Sequence, residues 1–421
     1  MGGPAPSGFS LPIQQVPFAS GHAWLVEDHS LPIVSVSWSW AGGASLDPAG
    51  QEGAIAQAAS LLTEGAGDLD SIAFADATRD QAINLGFGAG RDQFEGSLRA
   101  LTDALPDAVR LAALAMTRPR FDASAVERVR ARAMAAERRA LETPRGQANR
   151  SFWAAAFPGH PAGRPSSGTA TSLANLTVPQ MQQALARQMR RDGLLVAAAG
   201  AIKPEALTAL LAELFAGLPA GAPPPPPPLP GFTRFGQQVV PMPVPQSTAM
   251  FGQEGLATTD PDWEAAQVML RVLGGGGFSS RLMQAVREER GLAYGISAGL
   301  DLMFHRGTLI GAVSSENARV AETLAVTKAE WRRMAEAGPT DEELADAVAY
   351  LTGALPLQFV DSRRISDGLL TLRQNNRAPE WLAGRPARLA ALKRDQLAAV
   401  AGRLLRADDL SVVIAGQPAG L

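Results

Sequence analysis

Two stretches 216 residues apart repeat one pattern. Leu173-Ala-Asn-Leu176, then Gln180 and Arg187, leads into Asp192-Gly-Leu-Leu-Val-Ala-Ala-Ala-Gly200. Leu389-Ala-Ala-Leu392, then Gln396 and Arg403, leads into Asp408-Asp-Leu-Ser-Val-Val-Ile-Ala-Gly416. A self-match at about half the length of a 421-residue chain predicts two copies of one domain, not a short-period solenoid. Between the copies the composition changes: Pro223 to Pro228 is an unbroken proline run, followed by Leu229-Pro230-Gly231. Proline fixes φ and removes the backbone donor, so this stretch joins neither a helix nor a sheet interior. It reads as an extended spacer of roughly 3 Å per residue, with a proline-rich ligand for another protein as the alternative. The expected organisation is an N-terminal domain over 10–220, a linker over 221–231 and a C-terminal domain over 232–421.

Within this frame, residues 32 to 42 alternate apolar and small polar side chains, the pattern of a half-buried strand, and Ala41 to Gly50 is a loop by composition. Ala-rich residues Gly53 to Leu62 predict a helix that stops near Gly65. The segment from Asp122 to Glu142 predicts another, ending before Pro144, and Ser172 to Arg191 a third. Thr340-Asp-Glu-Glu343 is a capping box opening a helix in the second half, much as Asp122 opens one in the first. The fold class is α+β in two domains of about 200 residues each.

A net charge of -3 gives no electrostatic case for nucleic acid or an acidic membrane surface. The absence of cysteine excludes disulfides, thiolate zinc sites and cysteine nucleophiles, and leaves the compartment open. No apolar run approaches the roughly 20 residues needed to span a bilayer. The start, Met1-Gly-Gly-Pro-Ala-Pro-Ser7, shows neither a basic nor an apolar signal region and reads as a flexible leader; a mature exported chain would look the same.

The stretch with the densest local signals is Gly274-Gly-Gly-Gly-Phe278-Ser279-Ser280-Arg281-Leu282-Met283-Gln284-Ala285-Val286-Arg287-Glu288-Glu289-Arg290-Gly291-Leu292-Ala293-Tyr294. Four glycines make a loop open to backbone angles that other residues avoid. Ser279 or Ser280 can cap the helix that follows, with Leu282, Met283 and Val286 on its buried stripe. Gly291 supplies the stop, and Tyr294, Ile296, Ala298 and Leu300 alternate as a strand. Arg287 then sits in the last helical turn and Tyr294 at the mouth of the strand, so that a cation and a phenol face one concavity.

This run resembles the second-half signature of the pitrilysin-type (insulinase-like) zinc peptidases. The resemblance spans both halves and implies an antiparallel-rich sheet backed by helices in each. It also implies that Arg287 and Tyr294, which match the family's Arg and Tyr by type, spacing and flanks, help hold the substrate's scissile carbonyl. An active member carries His-x-x-Glu-His on the first helix of the first half, where two imidazoles on one helical face share a zinc and the Glu activates water. Here Ala56 and Ser60 stand where the ligands belong, and Ala59 where the base belongs. His22, His29, His160 and His305 have no ligand-like spacing, although Glu27 and Asp28 flank the second of them. Glu137, near where the family's more distant zinc Glu would fall, reads as a solvated helix charge. No catalytic zinc, and no other cofactor, is expected in this chain. Gly274 to Arg281 lacks the Lys-Ser/Thr of a P-loop, Gly-x-Ser-x-Gly is absent, and no carboxylate pair singles itself out for acid–base work.

A retained Arg/Tyr half beside an abolished metal half resembles peptidases of this family, mitochondrial processing peptidase among them, that divide labour between two chains. The resemblance implies the non-metal subunit of a heterodimeric zinc endopeptidase acting on unfolded peptides. Its partner would be a homologous His-x-x-Glu-His subunit bearing the zinc, and peptide would add as a strand along a sheet edge, mainly in the partner's metal half. Inactivity of the isolated chain and a periplasmic location, otherwise a cytoplasmic one, follow as expectations. The alternatives are a catalytically silent scaffold, like the core proteins of respiratory complexes, and a peptide-binding module that does not cut.

Overall fold

The computed structural model describes residues 9–421; the expected leader, Met1 to Ser7, lies outside the described residues. The strands are β1 (Ile13–Phe18), β2 (Gly21–Glu27), β3 (Ile33–Ala41), β4 (Asn84–Ala89), β5 (Gln93–Leu101), β6 (Leu195–Gly200), β7 (Gln237–Pro241), β8 (Gln246–Ala257), β9 (Ala293–Met303), β10 (Arg306–Glu316) and β11 (Ser411–Gly416). The helices that matter below are α1 (Ala54–Leu61), α2 (Ala123–Leu141), α3 (Pro144–Ala156), α4 (Ala170–Asn175), α5 (Val178–Gln188), α6 (Trp263–Leu270), α7 (Asp341–Ala354) and α8 (Ser362–Gln374).

The strands form two sheets, in the orders β1-β2-β6-β3-β5-β4 and β7-β11-β8-β10-β9. Without β1 the two orders are the same, strand for counterpart strand. Leu195 and Ser411, which open the matching strands β6 and β11, are 216 residues apart, as the sequence repeat requires. In each sheet one pair is parallel, β2 with β6 and β7 with β11, and the other pairings are antiparallel. Helices pack on both sheets, so the class is α+β.

The halves exchange helices. In β3, Val34, Val36, Trp38 and Trp40 enter the core of the first half together with Ile55 and Ala58 of α1 and Val126 and Val129 of α2. The alternate serines look like a solvent face in sequence, but they too are buried. α8 of the second half lies on them: Ser35 Oγ is 2.9 Å from Ser362 Oγ, Ser37 Oγ is 2.9 Å from Ser366 Oγ, and Ser37 donates to Asp367 Oδ1 at 2.6 Å. β3 is therefore buried on both faces instead of half-buried. Reciprocally, α3 of the first half places Ala148, Phe152 and Trp153 on the second sheet against Met250, Val413 and Ala415. Gly252 on β8 makes room for this, since a Cβ there would lie 2.7 Å from the Phe152 ring.

Residues 222–236 have no regular secondary structure. Phe232 and Phe235, at the end of this segment, pack with ring centroids 6.0 and 5.6 Å from Phe152. A proline spacer alone permits hinge motion between halves, but two shared apolar layers and a seam of hydroxyl hydrogen bonds oppose it.

The helix expected over 172–191 is two helices, α4 and α5. Pro179 cannot occupy a helix interior, because its ring displaces the carbonyl four residues back. It stands instead in the first turn of α5, where Thr177 N–H donates to Gln180 Oε1 at 2.8 Å in a capping box.

Candidate functional site

Of the four glycines expected in a loop, Gly274 and Gly275 instead end a π-helical turn, Arg271–Gly275, that continues α6; a Cβ on Gly274 would come 2.7 Å from Ala298 N, so this turn can lie directly on β9. Gly277 has φ 59. The two serines that follow close this turn: Ser279 Oγ donates to Gly276 O at 3.0 Å and Ser280 Oγ to Gly277 O at 2.8 Å. Ser280 does stand at the N-cap position, but its hydroxyl turns back to the loop and caps no helix donor. One α-turn, Arg281–Met283, runs into a π-helical turn, Gln284–Glu288, that carries Arg287. Leu282, Met283 and Val286 are buried in the second core as expected. Gly291, with φ 56, ends the helix: its N–H donates to Arg287 O and Leu292 N–H to Val286 O, each at 2.8 Å.

Arg287 and Tyr294 are brought together. The Arg287 guanidinium carbon lies 4.6 Å from the Tyr294 ring centroid and 4.5 Å from that of Phe278, and its Nε is 3.3 Å from Glu288 Oε1. The cation is stacked on two rings, with Tyr294, 85 % exposed, as the outermost group. Tyr294 lines a cleft of about 520 Å³ with Thr248, Ser297, Ser314 and Glu316 of the second half and Arg145 from α3 of the first. The arrangement can present a phenol O–H and a guanidinium to a carbonyl oxygen.

Local reading of the sequence did not single out the residues that hold this pair. Phe278 supplies the second stacking face. Arg281 is buried, donates to both carboxylate oxygens of Glu343 at 2.6 Å and to Gly338 O at 3.0 Å, and so ties the loop to the start of α7. Arg319 donates to Gly291 O at 3.0 Å and Arg290 O at 3.1 Å, fixing the turn before Tyr294. Glu343 alone had a sequence signal, as the last residue of the capping box.

On α1, Ala59 is 2 % exposed and packed in the core, while Ser60 Oγ donates to Ala56 O at 3.1 Å. Glu137 is not a solvated charge. It is 6 % exposed and bound by Arg150 of α3, whose Nη2 lies 2.6 and 2.7 Å from its two oxygens. The reason is the turn between the two helices: α3 leaves α2 after a short turn and carries a guanidinium back over the carboxylate. Asp47 accepts from Gly53 N at 3.1 Å and Ile55 N at 3.2 Å at the start of α1, and burial pushes its pKa up to about 7 against these bonds and the charges of Arg187 and Arg164. His29 meets Glu27 at 2.7 Å, and His160 Nδ1 accepts from Ala162 N at 3.1 Å. Among the described residues no three His, Asp or Glu side chains are grouped to hold a metal, and no helix is long and apolar enough to cross a membrane.

The family description "Peptidase M16 inactive domain" matches residues 175–351, which include Arg287 and Tyr294. A crystal structure of a peptidase M16 inactive domain from Pseudomonas fluorescens superimposes with a TM-score of 0.90 at 26% identity, over 97% of this chain and 98% of that one. This chain carries an M16 inactive domain over residues 175–351. Among curated M16 relatives, a "Non-peptidase homolog YmxG" of Helicobacter pylori is 25% identical over 79% of this chain and 77% of its own length. An "Uncharacterized zinc protease" of Mycobacterium tuberculosis is 33% identical over 50% of this chain, which spans about half, 49%, of that protein.

Proposed function

We propose that this M16 homologue is the non-metal subunit of a two-chain zinc endopeptidase that degrades unfolded peptides. The observation that carries the reading is the pairing of Arg287 with Tyr294 at the rim of an open cleft, in a chain whose own metal-site positions are alanine and serine. In the complex a partner M16 subunit supplies a zinc held by His-x-x-Glu-His. Bound there, the metal polarises the carbonyl and activates water. Tyr294 O–H and the Arg287 guanidinium donate to the scissile carbonyl oxygen, and to the oxyanion as it develops. Such donors act through the charge that appears only in the transition state. Stacking between Phe278 and Tyr294 holds the flexible Arg287 stem in place, so less rotamer entropy is lost when substrate arrives.

The test is cleavage of a quenched, unstructured peptide by this chain with zinc, by a His-x-x-Glu-His partner alone, and by the mixture. Activity is expected in the mixture well above either chain alone. Arg287→Ala and Tyr294→Phe should each lower kcat/KM of the mixture by about 10²–10³ with assembly of the two chains intact. Cleavage unaltered by both substitutions overturns the catalytic assignment. Chelator-sensitive cleavage by this chain alone overturns the division of labour.

A further inference from the structure

A second cleft, of about 400 Å³, opens within the second half, where α6, the end of β9 and α8 meet. It shares β9 with the Tyr294 site but lies at the other end of that strand, at Leu302, eight residues or roughly 26 Å away. Trp263 of α6, Phe359, Leu372 of α8 and Trp381 make its walls apolar, and Leu302 remains 41% exposed beside them.

Three guanidinium groups line the cleft, those of Arg364, Arg377 and Arg385, and Arg377 has no carboxylate within ion-pair distance among the described residues. The Arg377 guanidinium lies 4.8 Å from the Trp381 ring centroid and 5.9 Å from that of Trp263, and it donates to the Thr258 carbonyl. Glu264, whose charge acts on Arg377, is already bound by Arg385 at 3.4 Å and Arg388 at 3.0 Å. Asp367, the acidic residue lining the cleft, accepts from Ser37 at 2.6 Å and meets Arg363 at 3.7 Å. The partner of Arg364, Asp361, is 3.8 Å away. Thr258, also in the lining, is 1% exposed, and its hydroxyl has no hydrogen-bond partner among the described residues. The backbone that presents Arg377 is specialised: Asn376 has φ 53, and Arg377 N–H returns to Leu372 O at 2.9 Å to close the end of α8.

An apolar cleft with a few convergent donors, a guanidinium without a carboxylate and an orphaned hydroxyl is built for an anionic group carried on an apolar body. We infer that this cleft binds the free carboxyl terminus of a peptide ending in an apolar residue. The terminal side chain lies among Trp263, Phe359 and Leu302, and the carboxylate takes hydrogen bonds from Arg377 and the Thr258 hydroxyl. Gln358 and Asn375 on the lining offer amide groups that a peptide main chain uses and a hydrocarbon tail does not. The inference does not depend on the role given to Arg287 and Tyr294.

Fluorescence anisotropy with this chain alone tests it. The probe is a labelled hexapeptide ending in Ala-Leu, offered as the free acid and as the C-terminal amide, with oleate as competitor. The free acid is expected to bind at least about tenfold more tightly than the amide, the loss that a missing charge-assisted hydrogen bond brings. Arg377→Gln should erase the difference. Leu302→Asp, at an exposed position, should weaken the acid form with the melting temperature unchanged, which covers the case in which Arg377→Gln fails to fold. Equal binding of acid and amide, no binding of either, or a preference that survives both substitutions overturns the inference. Oleate bound more tightly than the peptide at the same site overturns the peptide assignment in favour of a fatty acid.

Discussion

Arg150 Nη2 lies 2.6 Å from Glu137 Oε1 and 2.7 Å from Oε2, so one guanidinium nitrogen holds both carboxylate oxygens. The pair joins α2 to α3 at a site where Glu137 is almost wholly buried. Removing one partner leaves an uncompensated charge in low dielectric. Arg150→Met is expected to destabilise the chain by about 3–5 kcal/mol, whereas Arg150→Met with Glu137→Leu should recover most of the loss. Chemical denaturation of the two variants checks this.

Ala59 of α1 belongs to the core. Ala59→Glu places a carboxylate where the native methyl is packed against the first-half core, and a loss of several kcal/mol is expected. Ser60→His, at an exposed position, should leave stability within about 0.5 kcal/mol of the parent. Melting temperatures of the two single variants separate these outcomes.

Phe278 is exposed, so Phe278→Ala should barely alter folding. It removes one of the two rings under Arg287, and a stack of this kind contributes about 0.5–1 kcal/mol. In the two-chain complex proposed above, kcat/KM should therefore fall about two- to fivefold, far less than for Arg287→Ala. Steady-state kinetics on the three proteins gives the ranking.

Asp47 carries a pKa raised to about 7 by burial, above an unfolded value of about 4. Between those values the folded chain binds more protons than the unfolded chain, so stability falls as pH rises through that window. The parent is expected to be more stable at pH 5 than at pH 8, and Asp47→Asn should flatten this dependence while keeping an acceptor for Gly53 and Ile55 N–H. Urea midpoints at the two pH values measure it.

Because α3 covers the second sheet and α8 the first, the halves should not unfold one at a time. Phe152→Ala is expected to cost about 3–5 kcal/mol and to lower a single calorimetric transition instead of splitting it. Cutting the chain within the proline run should leave the two pieces associated in size-exclusion chromatography.

Much of this was legible in local sequence. The 216-residue repeat announced a duplicated sheet, because strand and helix patterns survive as spacing whatever surrounds them. The turn at Gly277, the stop at Gly291 and the seven-residue step from Arg287 to Tyr294 lie in one contiguous stretch, whose own residues fix them. That no His-x-x-Glu-His occurs on α1 is likewise a matter of residue type, with Ala56, Ala59 and Ser60 in that window. What neighbours in the chain could not reveal was decided by contacts between separate elements, some within a half and some across the two. The serines of β3 read as a wet face until α8 covers them, and Glu137 reads as solvated until α3 brings Arg150 onto it. Arg319 and Arg281 hold the Arg287 turn from far along the chain. The Arg377 cleft exists only where α6, β9 and α8 meet. Side-chain periodicity reports which face of an element is apolar; it carries no record of which distant element comes to lie on the other face, and here that determined both the burial and the charge pairing.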